Sequence, residues 1–462
     1  MNSLYKKRVF LQLFKCCKNT RHGAGSGIFS LNLMRDLCLT ESLHGSEVCL
    51  MDIDEKRLDA SYTLCTRLAQ ELGSCLHTTK TTSREACLTG ADYVINTILM
   101  GGYQGWHDGW KIAQKWGYRR GGSLHVMHDE AFWTNFYQLR MMESVHRDIL
   151  RICPDAWYLM VCNPVFAGTT YLQRKYPQVK MVGLCHGTGQ IRYIAEKMGL
   201  DFDKVCCEIP GVNHFVWLNQ FYYEGRDAFK LLDKWIEEQS EAYFKTCPEC
   251  DFFGPKVVDL YKRYGVLPIG DTANPGGGAW GYEYHSDREV EKTWKEDPET
   301  WFNAYFVASA AHVAEIERAA YDESRPVREL IACEKSHEPM VPVIEALACG
   351  KEQKIVVNTL NDRGYVPGIP ADIAVEVPAC CGSYGIHPIA TERLPAPILA
   401  RAYHDRIAPV EMELAAYEAG SCSLLVDLVM MDPFTRSRAQ AEGLVEEILA
   451  LPYHAEMKEW YR

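Results

Sequence analysis

The residues best suited to chemistry are a cysteine and a histidine in the middle of the chain. Leu184-Cys185-His186-Gly187 ends an apolar run, and His214 closes the segment Gly211-Val-Asn-His214. A thiolate and an imidazole can together hold a divalent cation, with substrate oxygens and water in the remaining positions. From these residue types alone, a buried core cysteine and a hydrogen-bonding histidine explain the pattern more simply. The pair is a candidate metal site that needs support from elsewhere in the sequence.

A glycine-rich turn near the N-terminus has the outline of a dinucleotide-binding loop. Gly23-Ala24-Gly25-Ser26-Gly27 precedes a helical pattern, and Asp52 closes the next apolar segment. In such a loop the glycines let the backbone approach a pyrophosphate, and the acid accepts hydrogen bonds from ribose hydroxyls. The segment just before the turn, Lys18 to His22, is polar where an apolar strand normally leads in. The apolar run Arg8 to Phe14 implies either a longer loop or an irregular start to the first strand.

Predicted strands and helices, which could position these residues, alternate through the first half of the chain. Leu58, Tyr62, Cys65, Leu68 and Leu72 recur at steps of three and four, which is typical of one helix face. Short apolar runs before and after such helices predict an α/β fold with a parallel, doubly wound sheet. Ligands bind at the carboxyl ends of the strands in such sheets. The predicted buried strands are Glu47–Asp52, Asp92–Asn96, Trp157–Cys162 and Val179–Leu184.

Beyond about residue 190 longer helical segments are predicted. They include Arg226 to Tyr243 and Trp301 to Ala320. Two Gly/Pro-rich stretches interrupt them, Pro268 to Gly281 and Gly364 to Pro370. Polar residues in loops of this kind carry functional sites more often than cores.

Composition narrows the class of protein. The 462 residues are 47% apolar and 24% charged, which is ordinary for a globular chain. With 49 basic and 61 acidic residues the net charge is −12, and no basic stripe is present, so nucleic acid is not expected as a partner. Nineteen cysteines, an odd number that includes adjacent pairs, favour reduced thiols. No apolar stretch approaches the ~20 residues of a membrane span. A soluble cytoplasmic enzyme is expected.

Several short motifs occur in an order that points to one known family. Together they resemble glycoside hydrolase family 4, the NAD- and manganese-dependent glycosidases, over most of the chain. The motifs are Gly23-Ala-Gly-Ser26, Leu50-Met-Asp-Ile-Asp54, Ile95-Asn-Thr97 with Gly101-Gly102, Asn163-Pro164, Cys185-His186, Gly211-Val-Asn-His214 before Trp217, Val357-Asn358 through Asn361 and Gly364, Pro367-Gly-Ile-Pro370, Val375-Glu-Val-Pro378 and Gly385-Ile-His-Pro388.

The resemblance implies a fold and a mechanism. A Rossmann-like domain, similar to lactate and malate dehydrogenases, would span residues 1–195 and bind NAD+. A larger α/β domain for catalysis and oligomerisation would span residues 196–462, in homodimers or homotetramers. Bound NAD+ would take hydride from C3 of the sugar, so that the C2 proton becomes acidic while Mn2+ or another divalent cation holds the C2 and C3 oxygens. Loss of the glycosidic oxygen, addition of water at C1 and return of the hydride would complete hydrolysis, outside the two-carboxylate scheme.

The resemblance also implies roles for catalytic and metal-binding residues. Cys185 and His214 would be the metal ligands, and Asn163 would bind the substrate beside the nicotinamide. His186 would act at the glycosidic oxygen or position a substrate hydroxyl. Asp271, in Pro268-Ile-Gly-Asp-Thr272, is the candidate base for the C2 proton, with Tyr284 and His285 as alternatives in the same segment.

The cofactor end of the site is implied in the same way. Gly23, Gly25, Ser26 and Asp52 would hold the adenosine diphosphate portion of NAD+, and Asn96 would lie near the cofactor ribose. A lone Asp or Asn after a strand is otherwise a turn or capping residue.

The residues after the metal cysteine bear on the substrate. Cys185-His186-Gly187 is most similar to members acting on unphosphorylated α-linked sugars, above all the α-glucuronidase variant, with α-glucosidases close behind and α-galactosidases next. A uronate would need a cationic or amide-donor pocket. Two alternatives from other classes stay open: an NAD-dependent 2-hydroxy-acid dehydrogenase, which would accumulate NADH, and a non-catalytic relative that no longer binds the cofactor.

Overall fold

A twelve-stranded sheet runs through the computed structural model, which describes residues 8–12, 26–100, 102–273, 280–322, 324–331, 333–336 and 338–462. A second sheet of three strands, β7, β10 and β11, is antiparallel. The strands are β1 Arg8–Gln12, β2 Glu47–Met51, β3 His77–Thr81, β4 Tyr93–Asn96, β5 Trp157–Met160, β6 Met181–Gly183, β7 Val205–Glu208, β8 Gly211–Val212, β9 Phe215–Leu218, β10 Gln220–Tyr223, β11 Arg226–Asp227, β12 Leu267–Ile269, β13 Gln353–Leu360, β14 Ala374–Gly382 and β15 Gly385–Pro388.

Six parallel strands form one half of the large sheet, in the order β3-β2-β1-β4-β5-β6. This is the strand order of a dinucleotide-binding sheet, so the predicted fold class is confirmed. Val9 of β1 pairs with Val48 on one side and Tyr93 on the other, so the early apolar run does supply the first strand. The connection from β1 to the next helix, including Gly23 and Gly25, lies outside the described residues.

Helices cover both faces of the parallel half. Asp54 begins α2 as a cap, its side chain accepting from the backbone N–H of Arg57. Of the predicted helix face, Leu58, Cys65 and Leu68 are buried, whereas Tyr62 and Leu72 are half-buried. The helices are α1 Ser26–Cys38, α2 Glu55–Glu71, α3 Arg84–Leu88, α4 Gly102–Lys115, α5 Leu124–Met127, α6 Phe132–Ile152, α7 Val165–Lys175, α8 Gln190–Lys197, α9 Phe229–Glu238, α10 Ser240–Thr246, α11 Pro255–Tyr264, α12 Gly281–Tyr284, α13 Arg288–Trp294, α14 Pro298–Ala320, α15 Met340–Cys349, α16 Ala396–Ala402, α17 Ala408–Ala419, α18 Cys422–Met430, α19 Arg438–Leu449 and α20 Ala455–Trp460.

The strand β2 shows why the parallel strands are apolar throughout. Successive side chains of a strand point to opposite faces of the sheet. Val48 and Leu50 pack into one core with α1 and α2, whereas Cys49 and Met51 pack into another with α4 and α6. Burial on both faces therefore removes the alternation that marks a half-exposed strand.

The second half of the chain extends the same sheet with antiparallel strands. β13 joins β6 through the pair Asn358 and Gly183, and β14 joins β8 through Glu376 and Gly211. The predicted helix Trp301 to Ala320 is confirmed within α14. The predicted helical segment Arg226 to Tyr243 is confirmed in part: α9 and α10 occupy most of it, but β11 forms its start and the helix is interrupted at Gln239. The predicted domain boundary at residue 195 stays a prediction.

No helix in the described part of the chain is apolar over a length that would cross a bilayer.

A buried carboxyl in the helical layer gives a stability prediction. Burial raises the pKa of Asp432 to about 6, against about 4 in an unfolded chain, so the folded protein holds its proton more tightly. The free energy of unfolding should therefore fall as the pH rises from 4 to 6, by up to about 3 kcal/mol. Asp432→Asn should raise the melting temperature by a few degrees at pH 7.5 but not at pH 4. Asp427→Asn, which changes a more exposed acid on α18, is the control, and equal shifts at both pH values would contradict the prediction.

Candidate active site

Two predicted site residues follow neighbouring strands of the parallel half-sheet. Asn163 comes three residues after β5 and Cys185 two residues after β6, and these strands pair side by side. The carboxyl ends of parallel strands meet at one edge of a sheet, where ligands bind in such folds. The structure therefore places Asn163 and Cys185 at the same edge.

His214 lies in the tight turn between β8 and β9. Val212 and Phe215 pair across this hairpin, so Asn213 and His214 are its two turn residues. The backbone φ of His214 is 61°, a left-handed conformation that few residues other than glycine adopt. Its imidazole is buried and neighbours the Cys185 thiol. The two predicted metal ligands therefore meet in the fold.

A fully buried arginine fastens the histidine turn to a carboxylate. Arg406 lies in a π-helical turn, Tyr403–Ile407, and donates from Nε and Nη2 to the carbonyl oxygen of Asn213, at 3.2 and 3.0 Å. The Nη2 atom also lies 3.1 Å from Oε2 of Glu130. The other carboxylate oxygen of Glu130 lies 2.7 Å from Nδ1 of His214. A carboxylate on Nδ1 fixes the orientation of a histidine that binds metal through Nε2.

The turn that carries Asp271 packs against β9 and against the segment that follows Cys185. Thr272 Oγ accepts from the N–H of Val216 at 2.7 Å and donates to the carbonyl of the same residue at 3.0 Å, which ties the turn to β9. Gly270 and Gly187 approach so closely that a Cβ on either would lie 3.1–3.2 Å from the other's backbone. Oδ2 of Asp271 lies 2.9 Å from Nε2 of His214. The predicted base therefore stands beside the predicted metal ligands.

Paired opposite charges set the ionisation of this cluster. Burial favours the neutral imidazole, but Asp271 and Glu130 outweigh it and hold the pKa of His214 well above its usual value. Burial would likewise raise the pKa of Asp271, yet the charge of His214 holds it well below its usual range. Arg406 and His214 lower the pKa of Glu130 against the same burial effect. Both carboxyls are therefore ionised at neutral pH.

A further acid connects Asn163, the predicted substrate ligand, to the cluster. Nδ2 of Asn163 donates to Oδ2 of Asp129 at 2.7 Å. The ligand atoms of Asp129, Glu130 and His214 all lie within 4.8 Å of one another, which makes them a candidate metal-ligating group. The structure thus offers carboxylate ligands in addition to the predicted cysteine and histidine.

His186 lies at the exposed margin of the cluster. Its Nδ1 is 3.2 Å from Oε1 of Glu338, and this carboxylate raises the pKa of the imidazole. The ring can therefore carry a proton near neutral pH. Glu338 lies just before α15 and fixes the orientation of the His186 ring. The N–H of Glu338 in turn donates to Oγ of Ser336 at 3.2 Å.

Beneath the histidine turn lies a buried polar support. Glu376 on β14 accepts through Oε2 from the amides of Asn213, at 2.9 Å, and Asn358, at 3.1 Å. Burial raises the pKa of Glu376. Both Asn358 and Glu376 belong to C-terminal motifs singled out in the sequence, and through these hydrogen bonds they support the turn.

The nucleotide end of the site is described in part. Asp52 follows β2 and is buried; its Oδ1 accepts from the N–H of Asp54 at 2.8 Å, whereas Oδ2 has no hydrogen-bond partner among the described residues. Asn96 is engaged within the protein, since it donates to the hydroxyl of Tyr158 at 2.7 Å and accepts from the N–H of Ile98 at 3.1 Å. Ser26 begins α1. The cofactor roles of these residues remain predictions.

The two alternative bases, Tyr284 and His285, interact with residues outside this cluster. Tyr284 is buried and donates to Oδ2 of Asp259 at 2.6 Å, and it accepts from Arg263 at 2.7 Å. His285 is buried with Nε2 3.5 Å from Glu296. Among the described residues, Asp271 therefore contacts His214, whereas Tyr284 and His285 do not.

Sequence reasoning missed Asp129, Glu130, Arg406 and Glu338. The one available signal was the run His128-Asp129-Glu130, three ionisable residues between two helical segments. Arg406 carries no signal, because nothing in its sequence neighbourhood predicts a buried side chain or a π-helical turn.

Comparison with known families places this arrangement in a class. A model described as Family 4 glycosyl hydrolase matches residues 18–200, and the family's C-terminal domain model matches residues 209–435. The chain belongs to glycosyl hydrolase family 4, as its motifs predicted.

Curated relatives match nearly end to end. The alpha-glucosidase of Erwinia rhapontici is 24% identical over 458 residues, which cover 93% of this chain and 96% of the relative. The alpha-galactosidase of Bacillus subtilis is 25% identical, with 93% and 95% covered. The alpha-galacturonidase of Lachnoclostridium phytofermentans is 25% identical, with 95% and 96% covered.

A solved structure shows the same fold. The 6-phospho-alpha-glucosidase from gut microorganisms, crystallised with NAD and Mn2+, is similar with a TM-score of 0.75 and 16% identity, over 99% of each chain.

Proposed function

We propose that this chain hydrolyses α-linked, unphosphorylated glycosides with NAD+ and a divalent cation such as Mn2+. The observation that carries the proposal is the convergence of Cys185, His214 and Asp271 at the carboxyl edge of a dinucleotide-type sheet. A 2-hydroxy-acid dehydrogenase would not require this cluster of thiol, imidazole and carboxylate. The relatives' activities on α-glucosides, α-galactosides and α-galacturonides support the α linkage.

The donor set fits a divalent transition-metal ion. Cys185 would supply sulfur, His214 nitrogen and the neighbouring carboxylates oxygen, a mixture that such ions accept. Nδ1 of His214 is already held by Glu130, so that Nε2 is the nitrogen that faces Asp271. This carboxylate–histidine arrangement is the usual outer support of a metal-binding histidine. Cys185 and His214 would hold the ion.

The chain's own groups have separable tasks at the sugar. When bound, NAD+ supplies reversible oxidation at C3 and the cation supplies Lewis acidity at the neighbouring oxygens. Asp271, ionised by its neighbours, is placed to accept the C2 proton. His186 carries a proton at the margin of the site and would deliver it to the departing glycosidic oxygen. Asn163, positioned by Asp129, would bind a sugar hydroxyl.

The carboxyl of Asp52 fits the ribose of NAD+. Its Oδ2 is a buried acceptor without a partner among the described residues, and a ribose hydroxyl could donate to it. Burial raises the pKa of Asp52 to about 7. Since the ionised carboxylate is the better acceptor, NAD+ should bind more tightly as the pH rises from 6 to 8 and then level off.

This assignment is tested by titrating NAD+ into variants. Asp52→Ala should weaken NAD+ binding by about 10- to 100-fold, the effect of losing a charged hydrogen bond. Asp52→Asn should remove the pH dependence, because the amide does not titrate. Asp59→Asn, an exposed acid on α2, is the control. Unchanged affinity in both Asp52 variants would place the ribose elsewhere.

Within the α-glycosides we propose an α-uronide or an α-glucoside as the preferred substrate. The Cys185-His186-Gly187 segment supports a glucuronide or glucoside, and the similarity to an α-galacturonidase supports a uronide. An α-galactoside is the alternative, supported by the similarity to an α-galactosidase.

A panel of p-nitrophenyl α-glycosides tests the reaction and the substrate together. It contains the glucuronide, galacturonide, glucoside and galactoside, assayed with NAD+, Mn2+ and a reductant. We expect nitrophenol release that disappears without NAD+ or with a chelator, and no net NADH. The matching β-glycosides and 6-phosphoglycosides are the controls. Net NADH production without nitrophenol release would instead identify a dehydrogenase.

We also propose that the chain forms homodimers or homotetramers. Tyr305 and Val307 on α14 are exposed apolar side chains, 47% and 71% accessible, and Tyr305 stacks on Trp301. Exposed apolar helix surface of this kind commonly marks an interface. Light scattering should give a multiple of the 52.6-kDa chain mass, and Val307→Asp should lower it. A monomer in the unchanged protein would contradict the proposal.

A cytoplasmic location is proposed from the thiols. Cys206 and Cys207 are adjacent, as are Cys380 and Cys381, and all four are free. Unpaired thiols in this number are typical of a reducing compartment.

A further inference from the structure

A buried glutamine at the start of α8 connects the segment that follows Cys185 to the turn that carries Asp271. Gln190 is the first residue of α8 and is only 8% exposed. Its Oε1 accepts a hydrogen bond from the N–H of Gly270, the residue before Asp271. Its Nε2 donates to the carbonyl of Phe252. Both ends of the amide are therefore engaged with backbone groups, and this pairing of donor and acceptor sets its orientation.

The loop that contains Phe252 is anchored to the same helix. Asp251 accepts through Oδ1 from the N–H of Phe253 at 2.7 Å and through Oδ2 from the hydroxyl of Tyr193 at 2.8 Å. Tyr193 lies about one helical turn after Gln190 on α8. The carbonyl of Phe252 is therefore held in place for the donor end of the amide, so that the acceptor end is directed at Gly270.

The turn that carries Asp271 is consequently held from two sides. Toward β9, Thr272 hydrogen bonds with both backbone groups of Val216. Toward α8, Gln190 holds the N–H of Gly270, which is buried and has a left-handed φ of 60°. Asp271 lies between these two anchors, so its carboxylate is placed by both of them.

We propose that Gln190 is a positioning residue for Asp271. The inference rests on the proposed function, in which Asp271 accepts the C2 proton. Without Gln190 the buried N–H of Gly270 would lack a partner, which is unfavourable enough to shift the turn while Thr272 still fastens it to β9. Because a reacting group displaced by about 1 Å can lower a rate about 100-fold, a small shift of Asp271 is sufficient to slow the reaction.

The test is Gln190→Met, which keeps the length of the side chain and removes both hydrogen bonds. On the best α-glycoside of the panel we expect kcat to fall by about 10- to 100-fold, while KM and the Kd for Mn2+ stay within about threefold. Exchange of a C2 label with solvent should slow by the same factor, because Asp271 would perform that proton transfer. Gln190→Asn, which is one methylene shorter and cannot bridge both partners, replaces it if the methionine variant does not fold.

Gln173 on α7 provides a matched control. Its Nε2 donates to the carbonyl of Met181 at 3.1 Å and its Oε1 accepts from the N–H of Leu360 at 2.8 Å, so its amide also bridges two backbone segments. Met181 begins β6, at the end of the strand opposite Cys185. Gln173→Met should therefore lower the melting temperature by a few degrees, as Gln190→Met does, but leave kcat and C2 exchange unchanged.

Hydrogen exchange supplies a readout that needs no substrate. The amide of Gly270 should exchange at least about tenfold faster in Gln190→Met than in the unchanged protein, because its acceptor is lost. In Gln173→Met it should keep its rate. If no glycoside of the panel is hydrolysed, the proposed function fails, whereas this exchange rate and the distance from Asp271 to His214 in crystals of Gln190→Met still decide whether Gln190 holds the turn.

Three results would overturn the inference. One is an unchanged exchange rate of the Gly270 amide in Gln190→Met. Another is an equal loss of kcat in Gln190→Met and Gln173→Met, which would mean that Gln190 contributes only to stability. The third is a lower kcat with C2 exchange at the full rate, which would mean that Gln190 acts on a step other than the one assigned to Asp271.

Discussion

Replacing Asp271 with asparagine is expected to lower kcat by about a thousandfold, within the range for loss of a general base. Asparagine has nearly the same shape and can still accept from His214, so the turn should keep its geometry. It cannot take up the C2 proton. Initial rates on the best α-glycoside of the panel measure the loss. A substrate deuterated at C2 should exchange its label with solvent in the unchanged enzyme and retain it in Asp271→Asn.

The contrast with an exposed acid outside the cluster makes this result specific. Asp227→Asn, on the exposed strand β11, changes one carboxylate away from the cluster and should leave the rate unchanged. If Asp271→Asn retained both full turnover and C2 exchange, the base would have to be sought at Asp129 or Glu130. If the unchanged enzyme hydrolysed its substrate with the C2 label intact, elimination would be excluded as the route.

Replacing Cys185 with serine is expected to abolish metal-dependent turnover while leaving the Kd for NAD+ within about twofold. The thiolate is a strong ligand for transition metals, whereas a neutral hydroxyl is a weak one. Cys185 belongs to the cluster after β6, and Asp52 of the nucleotide end follows β2, with three strands between them in the sheet. Loss of the metal should therefore spare the cofactor. Electron paramagnetic resonance of Mn2+ measures binding, and NAD+ titration measures the cofactor.

A second cysteine provides the control. Cys206→Ser, on the small antiparallel sheet, changes an exposed thiol and should retain both metal binding and activity. Full Mn2+-dependent activity in Cys185→Ser would mean that the metal binds instead at Asp129, Glu130 and His214, whose ligand atoms also converge.

The strands that could be predicted are those buried on both faces. Each of β2, β4, β5 and β6 lies within the apolar run that predicted it, because two-sided burial excludes polar residues. β3, His77-Thr-Thr-Lys-Thr81, was missed. It pairs only with β2 and its side chains are mostly exposed, so its sequence shows neither an apolar run nor an alternation.

The helix predicted over Arg226 to Tyr243 is divided in the structure. Its apolar residues do recur with helical spacing, but the helix is interrupted at Gln239, between α9 and α10. Ser240 then donates its hydroxyl back to the carbonyl of Ile236 at 2.6 Å. Helical periodicity indicates which face is buried and does not indicate where the packing of neighbours interrupts the helix.

By itself the sequence determined the family, most of the parallel half of the sheet, and the local setting of three residues: Cys185 after its strand, His214 near a turn and Asp271 in its loop. Strand ends and turns constrain residue type over a few positions, but the roles predicted for these three residues came from the resemblance to the family. Only the tertiary structure decided that Glu130 and Arg406, 276 residues apart, close on the His214 turn. Side chains that distant in sequence are joined by burial and charge pairing, which depend on three-dimensional proximity and leave no pattern in the local sequence.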